Sequence, residues 1–137
     1  MANRQAPSNQ GPTLLAAVPQ LFVSDIAASC AFFTDKLGFA VAFVHGEPPF
    51  YAQVKRGGAQ IALRHVDRPV LDKISTAMSS DVDMLAASIT VDDVQALYAE
   101  FQGAKGAFHQ ELRAEPWGAR TFILRDPDGN LLLFAGS

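Results

Sequence analysis

The chain has 137 residues, of which 49% are hydrophobic and 18% charged, and a net charge of −3. That length suffices for one compact domain with its own core, so neither a disulfide nor a metal is needed as a staple. The composition describes an ordinary soluble globule, and its mild acidity argues against both a disordered chain and a nucleic-acid partner.

Residues 1–13, MANRQAPSNQGPT, are polar and rich in Pro, Asn and Gln. They lack the apolar centre of a signal peptide and read as a flexible N-terminal tail. No later stretch approaches the roughly 18 consecutive apolar residues of a membrane span. The single cysteine, Cys30, has no intrachain partner, so a reducing cytoplasm is the expected setting and no membrane partner is expected.

From Leu21 onward the chain repeats itself. The segment Leu21 to Phe39, LFVSDIAASCAFFTDKLGF, recurs 68 residues later as Ile89 to Ala107, ITVDDVQALYAEFQGAKGA. Val23 matches Val91, Asp25 matches Asp93, Phe33 matches Phe101 and Gly38 matches Gly106. Each copy predicts a short strand and then a helix. Ile26, Cys30, Phe33 and Leu37 fall on one helical stripe, and Val94, Leu97, Tyr98 and Phe101 repeat it. Ser24 or Asp25, and Asp92 or Asp93, suit the N-caps, while Gly38 and Gly106 suit the left-handed residue that ends a helix.

Strand-like runs follow each helix: Val41 to Val44, Tyr51 to Lys55 and Gln60 to Arg64, then Phe108 to Leu112, Thr121 to Arg125 and Leu131 to Phe134. Arg56-Gly57-Gly58 and Asp126-Pro127-Asp128-Gly129 are turn signals. The expected architecture is therefore α+β, two βαβββ modules over about 14–66 and 84–137 forming a curved mixed-sheet half-barrel each. The connecting stretch 67–83 is expected to be a loop or short helix that could cover a site.

Two segments, AVPQLFVSDIAASCAFFTDKLGF and EPWGARTFILRDPDGNLLLF, carry a V-x-D helix entry, a Leu-Gly-Phe exit, a Pro-Trp-Gly and an Arg-Asp-Pro-x-Gly-Asn turn. In these the chain resembles the glyoxalase, bleomycin-resistance and dioxygenase (vicinal oxygen chelate) superfamily, and within it the bleomycin-resistance proteins. Metal enzymes of that superfamily hold a divalent ion with His and Glu on the first and last strand of each module. The resemblance puts those four positions at Val18, Ala62, Ala86 and Leu133, none of which has a donor atom. No cofactor or metal is expected. His45, His65 and His109 match no compact ligand spacing and read as partly exposed or hydrogen-bonded histidines. Cys30 reads as a core residue, and Asp126 and Asp128 as turn formers.

Strand alternation places Val18 with Gln20, Ala62 with Arg64, Ala86 with Ser88 and Leu131 with Leu133 on a concave inner face. Gln20, Arg64 and Ser88 could orient a ligand there, and an inward, buried Arg64 would attract carboxylate, phosphate or carbonyl oxygen. The resemblance adds Phe43, Phe50 and Trp117, which match stacking aromatics of homodimeric drug-binding members. The chain departs from those members around Ser88 and Thr90, where they carry tryptophan, and in its milder acidity. Both departures speak against bleomycin itself. The expected function is metal-free binding of a planar or partly anionic small molecule by a homodimer, conferring antibiotic resistance by sequestration. The alternative is a glyoxalase- or dioxygenase-like lyase or oxidoreductase with an atypical or absent metal site, using Arg64, Glu111 or Glu115 as polarising and proton-transfer groups.

Overall fold

The computed structural model describes residues 11–77 and 83–137. Most of the tail expected over 1–13 lies outside the described residues, as does part of the connecting stretch 67–83. The element order is β1 (Gln20–Val23), α1 (Ile26–Leu37), β2 (Ala40–His45), β3 (Tyr51–Arg56), β4 (Ala59–His65), α2 (Arg68–Ala77), β5 (Leu85–Thr90), α3 (Val94–Gly103), β6 (Phe108–Ala114), β7 (Arg120–Arg125) and β8 (Leu131–Gly136). They form two four-stranded sheets, ordered β1-β4-β3-β2 and β5-β8-β7-β6. Each sheet has one parallel pair, β1 with β4 and β5 with β8, because the helix carries the chain across before the next strand joins; the other pairs are antiparallel. The α+β class and the doubled βαβββ order follow the sequence, and α2 stands between the modules, where the sequence leaves a loop or a short helix open.

Each helix covers one face of its sheet. On α1 the buried residues are Ile26, Ser29, Phe33 and Leu37, so Ser29 takes the fully buried place expected for Cys30, which is half-buried against the core. On α3 the buried residues are Val94 and Phe101, with Leu97 and Tyr98 packed at the margin. Leu21, Val23, Ile61 and Leu63 in the first sheet face inward, as do Phe122, Leu124, Leu132 and Phe134 in the second, all within one core that both modules share. Rings dominate the second half of that core, where Phe122 stacks on Phe134 at 5.1 Å and meets Phe101 edge-on at 5.9 Å.

The caps resolve the alternatives left open above. Asp25 accepts from the Ala28 N–H at 3.1 Å and Asp93 from the Ala96 N–H at 3.0 Å, so these two are the caps and Ser24 and Asp92 are not. Gly38 is left-handed, with φ of 71°, as expected. Gly106 is not. The left-handed residue after α3 is Lys105, with φ of 60°, and Gly106 is small for another reason: a Cβ there would meet Leu124 Cδ2 at 3.2 Å and Phe101 O at 3.3 Å.

Side chains latch the two modules together at two places. Asp128, in the β7–β8 turn, accepts from the Ser24 N–H at 3.1 Å and the Ser24 hydroxyl at 2.6 Å, and Asn130 Nδ2 donates to Phe22 O at 3.0 Å. Asp126, almost fully buried, organises that turn by accepting from the backbone N–H groups of Asp128 and Asn130. Across the other seam, Arg56 donates to Leu37 O at 2.8 Å and grips Glu100 on α3 at 2.7 and 3.0 Å. Lys36 also donates to Ala104 O at 3.0 Å.

Candidate functional site

Each sheet presses one face on the core and leaves the other open, and the register of the first sheet arranges its open face in two rows. One runs Gln20, Ala62, Gln53 and Phe43; the next runs Phe22, Arg64, Tyr51 and His45. Successive side chains of a strand alternate faces, so inward Leu21, Leu63 and Ala52 leave Phe22, Arg64 and Tyr51 outward. The result is an aromatic surface around one guanidinium. Arg64 Cζ lies 5.3 Å from the centroid of Phe50, and Phe43 lies 5.9 Å from Tyr51. Phe22, Phe43 and Phe50 are all exposed, Phe43 to 46%.

A line of polar groups crosses the same face. Gln60 Nε2 donates to Gln53 Oε1, and Gln53 Nε2 donates to the Tyr51 hydroxyl at 2.7 Å. At the far edge His45 stacks edge-on to Phe50 at 5.4 Å. Beyond Phe50 a cavity of about 470 Å³ opens between the start of α1 and the β2–β3 turn, walled by Asp25, Glu47, Pro48, Phe50 and His65. A larger groove of about 710 Å³ runs along the seam between modules, past Arg56, Ile61, Ser88, Leu97 and Phe101. We centre the candidate site on the aromatic face, since the seam groove holds none of its exposed rings.

Gln20, Phe43, Phe50 and Arg64, four of the six expected ligand contacts, share the first sheet or the turn beside it. Arg64 takes the expected face, but it is exposed rather than buried, because none of the described residues covers it. Ser88 stands in the second sheet opposite Leu133, and Trp117 sits in the β6–β7 turn with 74% of its surface exposed. Within one chain these two are not brought onto the first sheet. Phe22 and Tyr51 were missed. Alternation from Gln20 points to Phe22, whereas Tyr51 meets Arg64 only through a strand register that the sequence does not spell out.

The positions that hold metal in the resembled enzymes do not fit a divalent ion. Ala62 lies opposite Gln20 and Leu133 opposite Ser88; Ala86 falls in an irregular stretch of the β5–β8 ladder. Val18, expected on the first strand, precedes β1 and is half-exposed. Val18 and Ala62 occupy the first sheet or its approach and Ala86 and Leu133 the second, and hydrocarbon side chains give no donors at any of them. Among the described residues no group of three or more His, Cys, Asp or Glu is placed to hold a metal ion.

The other candidates have partners of their own. His109 is hydrogen-bonded to Asp83 at 2.8 Å and to Arg125 at 2.7 Å. His65 turns from the Ala62 face to the cavity at the start of α1. Glu111 accepts from the Tyr98 hydroxyl at 3.1 Å, on the helix side of β6. Glu115, its side chain only 8% exposed, accepts from Thr121 Oγ1 at 2.7 Å and Arg113 Nε at 3.0 Å, and these bonds, Thr121 first, hold its carboxyl below the ordinary range. A carboxylate so stabilised is a poor proton carrier near neutrality. Neither glutamate contacts Arg64 among the described residues. Burial pushes the Cys30 thiol up, away from thiolate chemistry.

Comparison with known proteins gives the same frame. Residues 14–134 match the model of the Glyoxalase/Bleomycin resistance protein/Dioxygenase superfamily. A bleomycin resistance protein of Geobacillus stearothermophilus is 32% identical over 133 residues, covering 88% of this chain and 96% of the relative. The bleomycin-binding protein from bleomycin-producing Streptomyces verticillus, solved with copper(II)-bleomycin, superimposes with a TM-score of 0.71 at 27% identity, over 93% of this chain and 99% of that one. TioX from Micromonospora sp. ML1 shares the fold, with a TM-score of 0.66 at 21% identity over 90% and 96% of the two chains. With its doubled βαβββ sheets and a match over nearly the whole domain, the chain belongs to the glyoxalase/bleomycin resistance protein/dioxygenase superfamily.

Proposed function

We propose that the protein is a metal-free binding protein of the bleomycin-resistance type, which sequesters a planar small molecule and changes no bonds. The observation that carries this reading is the open aromatic face of Phe22, Phe43, Phe50 and Tyr51 around Arg64, uncovered among the described residues. Rings held at fixed spacing on a sheet offer stacking surface worth about 0.5–1.5 kcal/mol per aromatic pair beyond the area they bury. Relatives named for bleomycin resistance and bleomycin binding support the ligand class. The apolar character of Val18, Ala62, Ala86 and Leu133 supports binding over metal-assisted chemistry.

A homodimer completes the proposed site. Leu14 and Leu15 are 96% and 91% exposed in a segment without regular structure, and the edge strand β2 exposes Val41, Phe43 and Val44 in succession. Apolar edge strands of this kind invite a covering partner. We assign Ser88 and Trp117 of one subunit to a cleft shared with the first sheet of the other, in a reducing cytoplasm. Among the described residues no helix is long and apolar enough to cross a membrane.

Trp117 is the only tryptophan and so reports binding directly. In chelator, titration with a panel of planar antibiotics, metal-free bleomycin among them, is expected to find a ligand that quenches its fluorescence at one per subunit. Stoichiometric metal in the purified protein, with turnover of a thiol or diol substrate that chelator abolishes, would instead establish the enzyme.

A further inference from the structure

We propose that the Arg64 guanidinium and the Tyr51 hydroxyl form an oxyanion subsite on the open face, so that the ligand is an aromatic molecule bearing a carboxylate, sulfonate or phosphate group. The inference rests on the reading that this face holds a planar molecule, and it fixes the charge of that molecule.

The two side chains leave the sheet from neighbouring positions, since Tyr51 and Arg64 are direct partners across the β3–β4 ladder. Cross-strand partners keep their Cβ atoms within about 5.5 Å, close enough for two donors to reach the oxygens of one small anion. The direction of the polar line then decides what Tyr51 offers. Gln60 donates to Gln53 and Gln53 donates to the Tyr51 oxygen, so the phenol already accepts and its own hydrogen is left to donate. Among the described residues no acceptor takes that hydrogen. The line of glutamines therefore ends in a free donor on the open face.

Arg64 differs from the other arginines of the described residues. Arg56 grips Glu100, Arg68 approaches Asp128, Arg113 bonds Glu115, Arg120 bonds Gln95 and Arg125 bonds His109. Arg64 has only the ring of Phe50 beneath it and Phe22 beside it on the parallel strand. A guanidinium packed on a ring keeps its fork of N–H groups free for a planar oxyanion, in a bidentate geometry that a lysine cannot copy. Its aromatic neighbours would cover the rest of a flat molecule so bound, and exclusion of water strengthens the charged hydrogen bonds. Gln53 and Gln60 are positioning residues, acting on the ligand through Tyr51.

The test uses two fluorescent dyes on the full-length chain: anilinonaphthalene sulfonate, and phenylnaphthylamine, which has the same rings without the anion. The sulfonate is expected to bind about tenfold more tightly than the neutral dye, the size of a charge-assisted hydrogen bond. Arg64→Gln and Tyr51→Phe should each lower the sulfonate's affinity by several-fold more than the neutral dye's and so erase most of that preference, about tenfold in the parent. Arg64→Lys, which keeps the charge, should recover only part of it, and Gln53→Leu should weaken sulfonate binding in the parent but not in Tyr51→Phe. Urea midpoints matching the parent establish that each variant is folded. Equal affinity for both dyes, or a preference untouched by these substitutions, overturns the oxyanion subsite and leaves the aromatic site standing. If neither dye binds, the aromatic site itself is wrong.

Discussion

Gly38 shows how much one residue decides. Its φ of 71° lets α1 end and β2 begin, and a Cβ there would lie 2.9 Å from Arg56 Nη1. Gly38→Ala is expected to cost about 1–2 kcal/mol from the left-handed backbone, and more where it pushes Arg56 from Glu100. Urea denaturation measures it. Gly106→Ala, with no such backbone penalty, should cost less, because only the contacts with Leu124 and Phe101 tighten. Glu115 gives a pH signature. Its carboxyl is held below the ordinary 4.5, first by Thr121 and then by Arg113, so the unfolded chain takes up its proton at a higher pH than the folded one. Its stability contribution is therefore present above the ordinary value and lost as pH falls through the lowered one. Thr121→Val should lessen the drop in the urea midpoint between about pH 7 and about pH 3. An unchanged drop would place the acid sensitivity elsewhere. Which glycine is left-handed was not legible in the sequence, since Gly106 aligns with Gly38 yet Lys105 makes the turn.

Elements were more legible than contacts. A helical stripe is a local pattern, so α1 and α3 emerge from Ile26, Phe33 and Leu37 and from Val94 and Phe101. Their caps were narrowed to two residues each for the same reason. The partnership of Tyr51 with Arg64 was not legible, because register depends on how far each hairpin slides, and that is settled by distant core residues such as Val54 and Ile61. The latch between modules was also hidden: Ser24 and Asp128 are 104 residues apart, and neither differs in type from an ordinary cap or turn residue. Asp128→Ala removes the acceptor of two bonds at a half-buried seam, and a loss of about 1.5–3 kcal/mol is expected. Hydrogen exchange should then rise in α1's first turn and in the β7–β8 turn. Protection unchanged in both would show that the latch adds nothing to the shared core.

At the scale of the molecule, a chain with its core complete still exposes Leu14, Leu15, Phe43 and Trp117. Such surface is costly to leave in water, and the proposed dimer covers it. Replacing Leu14 and Leu15 together by aspartate is expected to shift sedimentation from dimer to monomer, with the far-ultraviolet spectrum unchanged. A parent that sediments as a monomer at every concentration would remove the shared cleft. The central claim is that the open face of the first sheet, and not a metal centre or the seam groove, is where ligand binds. Amide NMR of the isotope-labelled protein, titrated in chelator with a quenching planar ligand, tests it most directly. The expected result is shifts at Gln20, Phe22, Phe43, Tyr51 and Arg64 while residues of the seam groove such as Gly57 and Leu97 stay still. Shifts confined to the seam groove, or appearing only when a divalent ion is added, would contradict it.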